Sequence, residues 1–364
     1  MNTRRDTRRV NVGRVPVGGG APVSVQTMLD DDPHDAGALV AHAVACAEQG
    51  ADIVRITVPD IAAADALGEL KRRTDVPVVA DIHFDYRCAL AAIAAGTDAL
   101  RLNPGNIGGR DRVAEVARAA KAKGVPIRIG VNLGSLERDL DARLRAGGLS
   151  VADALCESAL RHLSLLEAED FRDVVISVKA SNVQDTVAAY RRLSERTDCP
   201  LHVGLTEAGT FLRGTVHSSV ALGILLAEGI GDTIRVSLTD KPEREVRVGI
   251  EILRALGLRA RGPSLTSCPT CGRTKVDLKG VAAAVETELE RLYRTCGTPE
   301  RFPKVAVMGC VVNGPGEAKG ADIALCGGKG EFLVFAGGVQ TGRVAEGEAV
   351  AGVVEACKRW MEAR

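Results

Sequence analysis

Three cysteines carry the most specific chemical signal in the chain. Cys268 and Cys271 form a CPTC turn, and Cys310 follows 39 residues after Cys271 in MGCVVNGPGEA. A CxxC turn presents two thiolates to one metal ion or one cluster. A structural zinc needs a fourth Cys or His, and the nearest candidates, Cys296 and Cys326, stand outside any paired motif. A dithiol redox centre usually opens a helix in a thioredoxin-like βαβ unit, a pattern this segment lacks. Iron–sulfur ligation by three thiolates and one weaker donor is the third reading, with Glu317 seven residues past Cys310. Spacing favours the cluster over zinc and leaves both open. Cys46, Cys88, Cys156, Cys199, Cys296, Cys326 and Cys357 are scattered singly and read as small core hydrophobes.

A second constellation consists of cations placed inside apolar runs: Arg55, Arg101, Arg128, Lys179 and Arg235. Charge within a buried strand is costly unless it is paired or used. Strand residues two apart share a face. On the cation's face, the runs read Arg55 and Thr57, then Arg101 and Asn103, then Arg128, Gly130 and Asn132. Ser177, Lys179 and Ser181 follow, and then Arg235, Ser237 and Thr239. The opposite face (Val54, Ile56, Val58; Ile127, Ile129, Val131) is apolar throughout. Asp81, Asp85 and Glu207 are the acids at strand ends, too few to balance five cations. A multiply charged anion such as a diphosphate resolves the imbalance, because guanidinium forks match its oxygens. The competing reading has single cations pointing outward or forming ordinary ion pairs. His83 is a candidate acid/base or donor to substrate, or a structural histidine. Asn103 and Asn132 are candidate donors to phosphate or hydroxyl oxygens, and Asn103, before Pro104, is also suited to closing a turn.

These residues need a frame. Eight short apolar runs, starting at Val23, Ile53, Val76, Ala99, Ile127, Val174, Leu201 and Thr233, alternate with Ala-rich helical segments. That rhythm over about 260 residues is the arithmetic of a (β/α)8 TIM-type barrel, whose active sites lie at the C-terminal strand ends. A doubly wound sheet is the alternative, but no glycine fingerprint follows the first strand. The fifth-to-sixth interval carries an extra stretch, SLERDLDARLRAGGLS, expected as a loop plus helix. After Arg261 the rhythm changes. GPSLTSCPTCGR reads as a connector, followed by a helix over about 276–295, three strands and a final helix. The expected division is a barrel over 1–262, carrying the substrate site, and a smaller α+β domain over 263–364, carrying the cysteines.

The chain has 364 residues, with 47 Lys and Arg against 47 Asp and Glu. Zero net charge argues against a nucleic-acid partner. Hydrophobic residues at 46% and charged residues at 26% fit a globular chain and not a disordered one. No apolar run reaches the ~18 residues of a membrane span, and the basic start lacks a signal-like apolar segment. A cytoplasmic, soluble enzyme is expected.

ADIHFDYR, LRLNPGNIG, IRIGVNLGSLE, SVKAS, TEAG, EGIGDTIRVSLT, CPTCGR and GCVVNGPGEA together resemble the bacterial 4-hydroxy-3-methylbut-2-enyl diphosphate synthase family. The resemblance runs from about residue 8 to residue 340, and the last two motifs are the most specific. It fits the shorter two-domain form. The departures are QTM at Gln26–Met28, where QSM is commoner, and the acidic stretch DDDPHD that follows. The resemblance implies two-electron reductive ring opening of 2-C-methyl-D-erythritol 2,4-cyclodiphosphate, with loss of water, in the non-mevalonate isoprenoid pathway. It implies a [4Fe–4S] cluster on Cys268, Cys271, Cys310 and Glu317, with electrons from reduced flavodoxin or ferredoxin. It also implies a homodimer in which one subunit's cluster domain caps the other's barrel. Glu207, at the end of the seventh strand, is then a proton donor or an orienting group for a substrate hydroxyl. Two other readings compete: a zinc-stabilised lyase with a Schiff base on Lys179, and an iron or redox sensor without turnover.

Overall fold

The alternation of β-branched runs and Ala-rich helices closes as the period predicts. The computed structural model describes residues 3–259, 262–296, 302–312 and 314–363, and of Glu317 only the backbone. Contacts divide the chain into two units, Met1–Arg259 and Ala260–Arg364.

The first unit opens with a hairpin, β1 (Arg9–Val12) and β2 (Val15–Gly18), which sequence periodicity did not reveal. Eight parallel strands follow: β3 (Ser24–Met28), β4 (Ile53–Thr57), β5 (Val78–Asp81), β6 (Ala99–Leu102), β7 (Ile127–Asn132), β8 (Val174–Lys179), β9 (His202–Val203) and β10 (Thr233–Ile234). Their hydrogen-bonded order is β8-β7-β6-β5-β4-β3-β10-β9, and a bridge from Ile176 to Leu201 joins the two ends into a barrel. Val10, Val12 and Val17 of the hairpin pack on Ile53, Val79, Ala99 and Val175, the inward residues at the N-terminal strand ends. The hairpin thus plugs the floor, and the opposite mouth is left for the loops that follow each strand.

Helix starts are fixed locally. Asp35, Asp60, Asp85, Ser150 and Asn182 each accept a backbone N–H in the first turn of the following helix. Asp85, counted among the strand-end acids, is therefore a cap, and it also pairs with Arg87 at 2.7 Å. The extra stretch after β7 forms a 3₁₀ turn and the helix Arg138–Arg145. Strands β9 and β10 are shorter than their apolar runs. Arg235 lies one residue past β10, although its N–H still donates to Val203 O at 3.1 Å.

The second unit is a mixed sheet in the order β11-β12-β13-β14-β15. Its strands are β11 (Ser264–Ser267), β12 (Lys304–Met308), β13 (Ile323–Gly327), β14 (Glu331–Ala336) and β15 (Val339–Ala345). The helices Leu278–Thr295 and Ala349–Glu362 cover one face through Leu278, Val285, Leu289, Val353 and Cys357. Part of the stretch read as a connector is thus strand β11, and β15 was not expected. Both are edge strands with little apolar alternation, so their pairing and not their composition makes them strands.

Candidate active site

The inward phase of the barrel strands brings the cations together as the alternation required. Asp81, 2% exposed, is shared: Arg101 Nη1 donates to its Oδ1 at 3.0 Å, and Arg55 Nε stands 3.5 Å from its Oδ2. Arg101 also donates through Nη2 to Gly130 O at 3.2 Å. A Cβ at Gly130 would lie 2.3 Å from Arg101 Nε, so only glycine leaves room for the guanidinium to cross β7. His83 Nε2 reaches within 3.9 Å of Asp81 Oδ2 from a half-exposed ring. Arg55 Nη2 contacts Met28 Sδ at 2.7 Å, which gives the Met of the QTM segment a place beside the cations.

Arg128 and Lys179 have no such carboxylate. Among the described residues, neither forms an ion pair, and Nε, Nη1 and Nη2 of Arg128 are buried without a hydrogen-bond partner. The charges oppose one another. Burial, reinforced by Arg55 and Arg101, holds Arg128 well below the usual arginine value. Burial and the fields of Arg235, Arg55, Arg128 and Arg101 do the same to Lys179. Arg55 is lowered to about 10, chiefly by burial, despite Asp81. Burial alone would raise the Asp81 carboxyl, but Arg55 and Arg101 outweigh it and hold the group below its ordinary value.

Above this layer lies a cavity of about 610 Å³ at the C-terminal strand ends, lined by His83, Arg101, Asn103, Asn132, Lys179 and Glu207 among others. Asn103 Oδ1 accepts from Gly105 N at 3.1 Å, closing the turn, while its Nδ2 is buried without a partner. Asn132 caps the 3₁₀ turn Leu133–Ser135. Glu207 is exposed, takes φ 54°, and makes no hydrogen bond or ion pair among the described residues. A left-handed glutamate at a cavity rim is strained, and such strain concentrates at working sites.

Arg55, Asp81, Arg128 and Arg235 do not line this cavity. Arg235 turns to Glu245, with Nη2 at 3.4 Å from Oε2. Glu245 also accepts from Leu238 N at 2.8 Å and Thr27 Oγ1 at 3.1 Å. Sequence reasoning missed Glu245 because it opens a helix, Pro242–Ala255, where an acid needs no special explanation. It also missed His202, which is fully buried with both ring nitrogens unpartnered. Burial and the fields of Arg128 and Lys179 hold that imidazole well below its usual pKa. Its place in the seventh apolar run, two residues before Gly204 and so on the same face, was the available signal.

In the second unit, CPTC lies just beyond β11, and Cys310 just beyond the parallel strand β12. Gly309 N donates to Cys268 Sγ at 3.3 Å. Hydrogen bonds from the Arg273 backbone and guanidinium hold the Cys271 thiol below its usual range. Thr270, inside the turn, takes φ 70°. Cys326 is fully buried nearby: burial raises its thiol to about 11, with Cys310 and Cys268 adding to the shift. Among the described residues, the sulfurs of Cys268, Cys271 and Cys310 do not gather within 4.8 Å of one another. Glu317 ends the short helix Gly314–Glu317, and its side chain lies outside the described residues.

Residues 7–250 match the GcpE TIM-barrel domain, and residues 264–359 match the GcpE protein C-terminal domain. The chain belongs to the GcpE family. It is 55% identical over 342 residues to the 4-hydroxy-3-methylbut-2-en-1-yl diphosphate synthase (flavodoxin) of Geobacter sulfurreducens, covering 94% of each chain. It is 52% identical to the synthase of the same name from Symbiobacterium thermophilum over 98% of this chain and 93% of that one. The synthase of Desulfotalea psychrophila is also 52% identical, over 95% of this chain and 93% of the relative. The matched GcpE domains coincide with the barrel and the mixed-sheet unit, and no described helix is long and apolar enough to cross a membrane.

Proposed function

We propose that the chain is a 4-hydroxy-3-methylbut-2-en-1-yl diphosphate synthase, reducing 2-C-methyl-D-erythritol 2,4-cyclodiphosphate by two electrons with ring opening and loss of water. The observation that carries this reading is the uncompensated charge in the barrel: one carboxylate, Asp81, serves two guanidiniums, while Arg128 and Lys179 have none. A cyclic diphosphate supplies the missing negative charge. Lys179 and Arg101 then bind phosphate oxygens at the cavity wall, and Arg55, Arg128 and Arg235 hold the field behind them. Asn103 and Asn132 orient ring or phosphate oxygens. His83 donates to substrate from the Asp81 side. Glu207, unpartnered at the rim, delivers a proton or orients the departing hydroxyl.

Cys268, Cys271, Cys310 and Glu317 are the proposed ligands of a [4Fe–4S] cluster. The donor set fits: a thiolate-directed N–H at Cys268 and a lowered thiol at Cys271. When bound, the cluster supplies the two electrons and a Lewis-acidic iron. Reduced flavodoxin is the proposed donor, supported by the relatives' names, with ferredoxin the alternative. The division of labour between residues 1–262 for substrate and 263–364 for the cluster, a cytoplasmic location and a homodimer belong to the same proposal.

The test is anaerobic purification with iron, sulfide and zinc analysis, followed by turnover of the cyclodiphosphate with reduced flavodoxin. A brown protein with about four iron and four sulfide per chain, active with that substrate, is expected, and Cys268→Ser should lose the colour. A colourless protein carrying zinc, with borohydride trapping at Lys179, would replace this reading with the lyase.

A further inference from the structure

The acidic stretch DDDPHD after β3 does not line the barrel cavity, and it stands beside an unusual set of donors. His42 and Cys46 lie four residues apart on the helix Ala36–Glu48 and therefore share a face. Glu243 lies in the first turn of the helix Pro242–Ala255. One ligand atom from each of the three lies within 4.8 Å of the others. His42 Nε2 is 3.4 Å from Glu243 Oε2. On its other side, His42 Nδ1 is 2.5 Å from Asp31 Oδ2, within the acidic stretch.

We infer that His42, Cys46 and Glu243 form a binding site for a thiophilic divalent cation of the zinc class, with Asp31 orienting the histidine. With a cation bound, Asp31 accepting from Nδ1–H would select the tautomer whose Nε2 lone pair faces Cys46 and Glu243. That carboxylate–histidine arrangement is the usual outer support of a zinc ligand. Ligand atoms around tetrahedral zinc stand about 3.3–3.8 Å apart, so modest side-chain rotation closes the set, and water takes the fourth position. An imidazolium bridging Asp31 and Glu243 accounts for less. It satisfies Glu243 Oε2, 3.4 Å from Nε2, but leaves the fully buried Cys46 thiol without a hydrogen bond among the described residues. A cation uses both. Cys46, expected from sequence to be a core filler, then has a chemical reason to be a thiol.

The site lies next to the substrate machinery without entering it. Glu245, two residues past Glu243, holds Arg235 and Thr27. A cation here ties the acidic loop after β3 to the start of that helix.

The experiment uses the full, cluster-loaded chain, given one equivalent of Zn²⁺, desalted, and analysed for zinc and iron. One zinc per chain beyond the cluster iron is expected, with a zinc-edge spectrum showing one sulfur among nitrogen and oxygen ligands. His42→Ala and Cys46→Ala should lose that zinc. Glu243→Gln, a partly exposed and milder change, should weaken retention at least tenfold if the buried-site variants fold poorly, and Cys296→Ala should leave it unchanged. At a hundredfold excess over its Kd, zinc should raise Tm by about 5 °C in the wild type only. No retained zinc, a sulfur-rich shell, or undiminished zinc in both His42→Ala and Glu243→Gln would overturn the site. These readouts do not depend on turnover, so the synthase proposal stands or falls separately.

Discussion

Lys179→Met should stabilise the ligand-free protein while weakening its hold on substrate. Lys179 is buried, lacks a carboxylate, and is depressed by burial and four guanidiniums. Its folded pKa lies below the unfolded value of about 10.4, so the unfolded chain binds more protons between those two values. Stability of the ligand-free wild type therefore rises with pH across that window, by at most about 1.4 kcal/mol per pH unit from this group. For a barrel of this size that is roughly 3–5 °C of Tm per unit. Methionine has similar volume and no charge, so the variant should melt higher near neutral pH and lose this part of the slope. The cost falls on binding. A charge-assisted hydrogen bond to phosphate contributes about 1.5–3 kcal/mol, so KM for the cyclodiphosphate should rise about 10- to 150-fold. The assay is a melting series from pH 6 to 9, with and without substrate, alongside steady-state kinetics. A Tm below wild type throughout, or an unchanged KM, would refute the argument, because either would mean the ammonium is satisfied within the resting protein or faces away from substrate.

Asp81→Asn should destabilise the barrel by about 3–5 kcal/mol, because two buried guanidiniums lose their shared carboxylate. Since Asp81 is held below its ordinary pKa, its contribution is complete above about pH 4 and lost as pH falls through the depressed value, and the variant should lack that acid step in a Tm series. Gly130→Ala places a methyl 2.3 Å from Arg101 Nε; it should displace Arg101 from Asp81 and raise KM with the cluster spectrum intact. Glu207→Gln should lower kcat about 10²- to 10⁴-fold with a near-wild-type Tm, as expected for proton transfer by a group with no structural partner. Wild-type kcat would remove Glu207 from the chemistry.

Much of this protein is legible in one dimension because the relevant periods are short. Alternation with period two put Arg55, Arg101, Arg128 and Lys179 on one face of their strands, and eight repeats of strand and helix dictated a closed barrel. CPTC and GCVVNGPGEA marked the second unit as a candidate metal-binding unit, with spacing leaving zinc and cluster both open. What the sequence left undecided depends on distance in the chain. Arg235 pairs with Glu245, ten residues on in the following helix, and does not line the cavity. The hairpin Arg9–Gly18 becomes a floor plug only where Ile53, Val79, Ala99 and Val175 leave an apolar opening. Strands β11 and β15 exist because a neighbour offers a hydrogen-bonding edge, not because Ser264–Ser267 or Val339–Ala345 favour extension. His42, Cys46 and Glu243 are unremarkable in sequence, and acquire meaning once the first and last barrel helices are brought side by side. Local pattern determined which faces are polar; closure of the ring decided which polar groups meet.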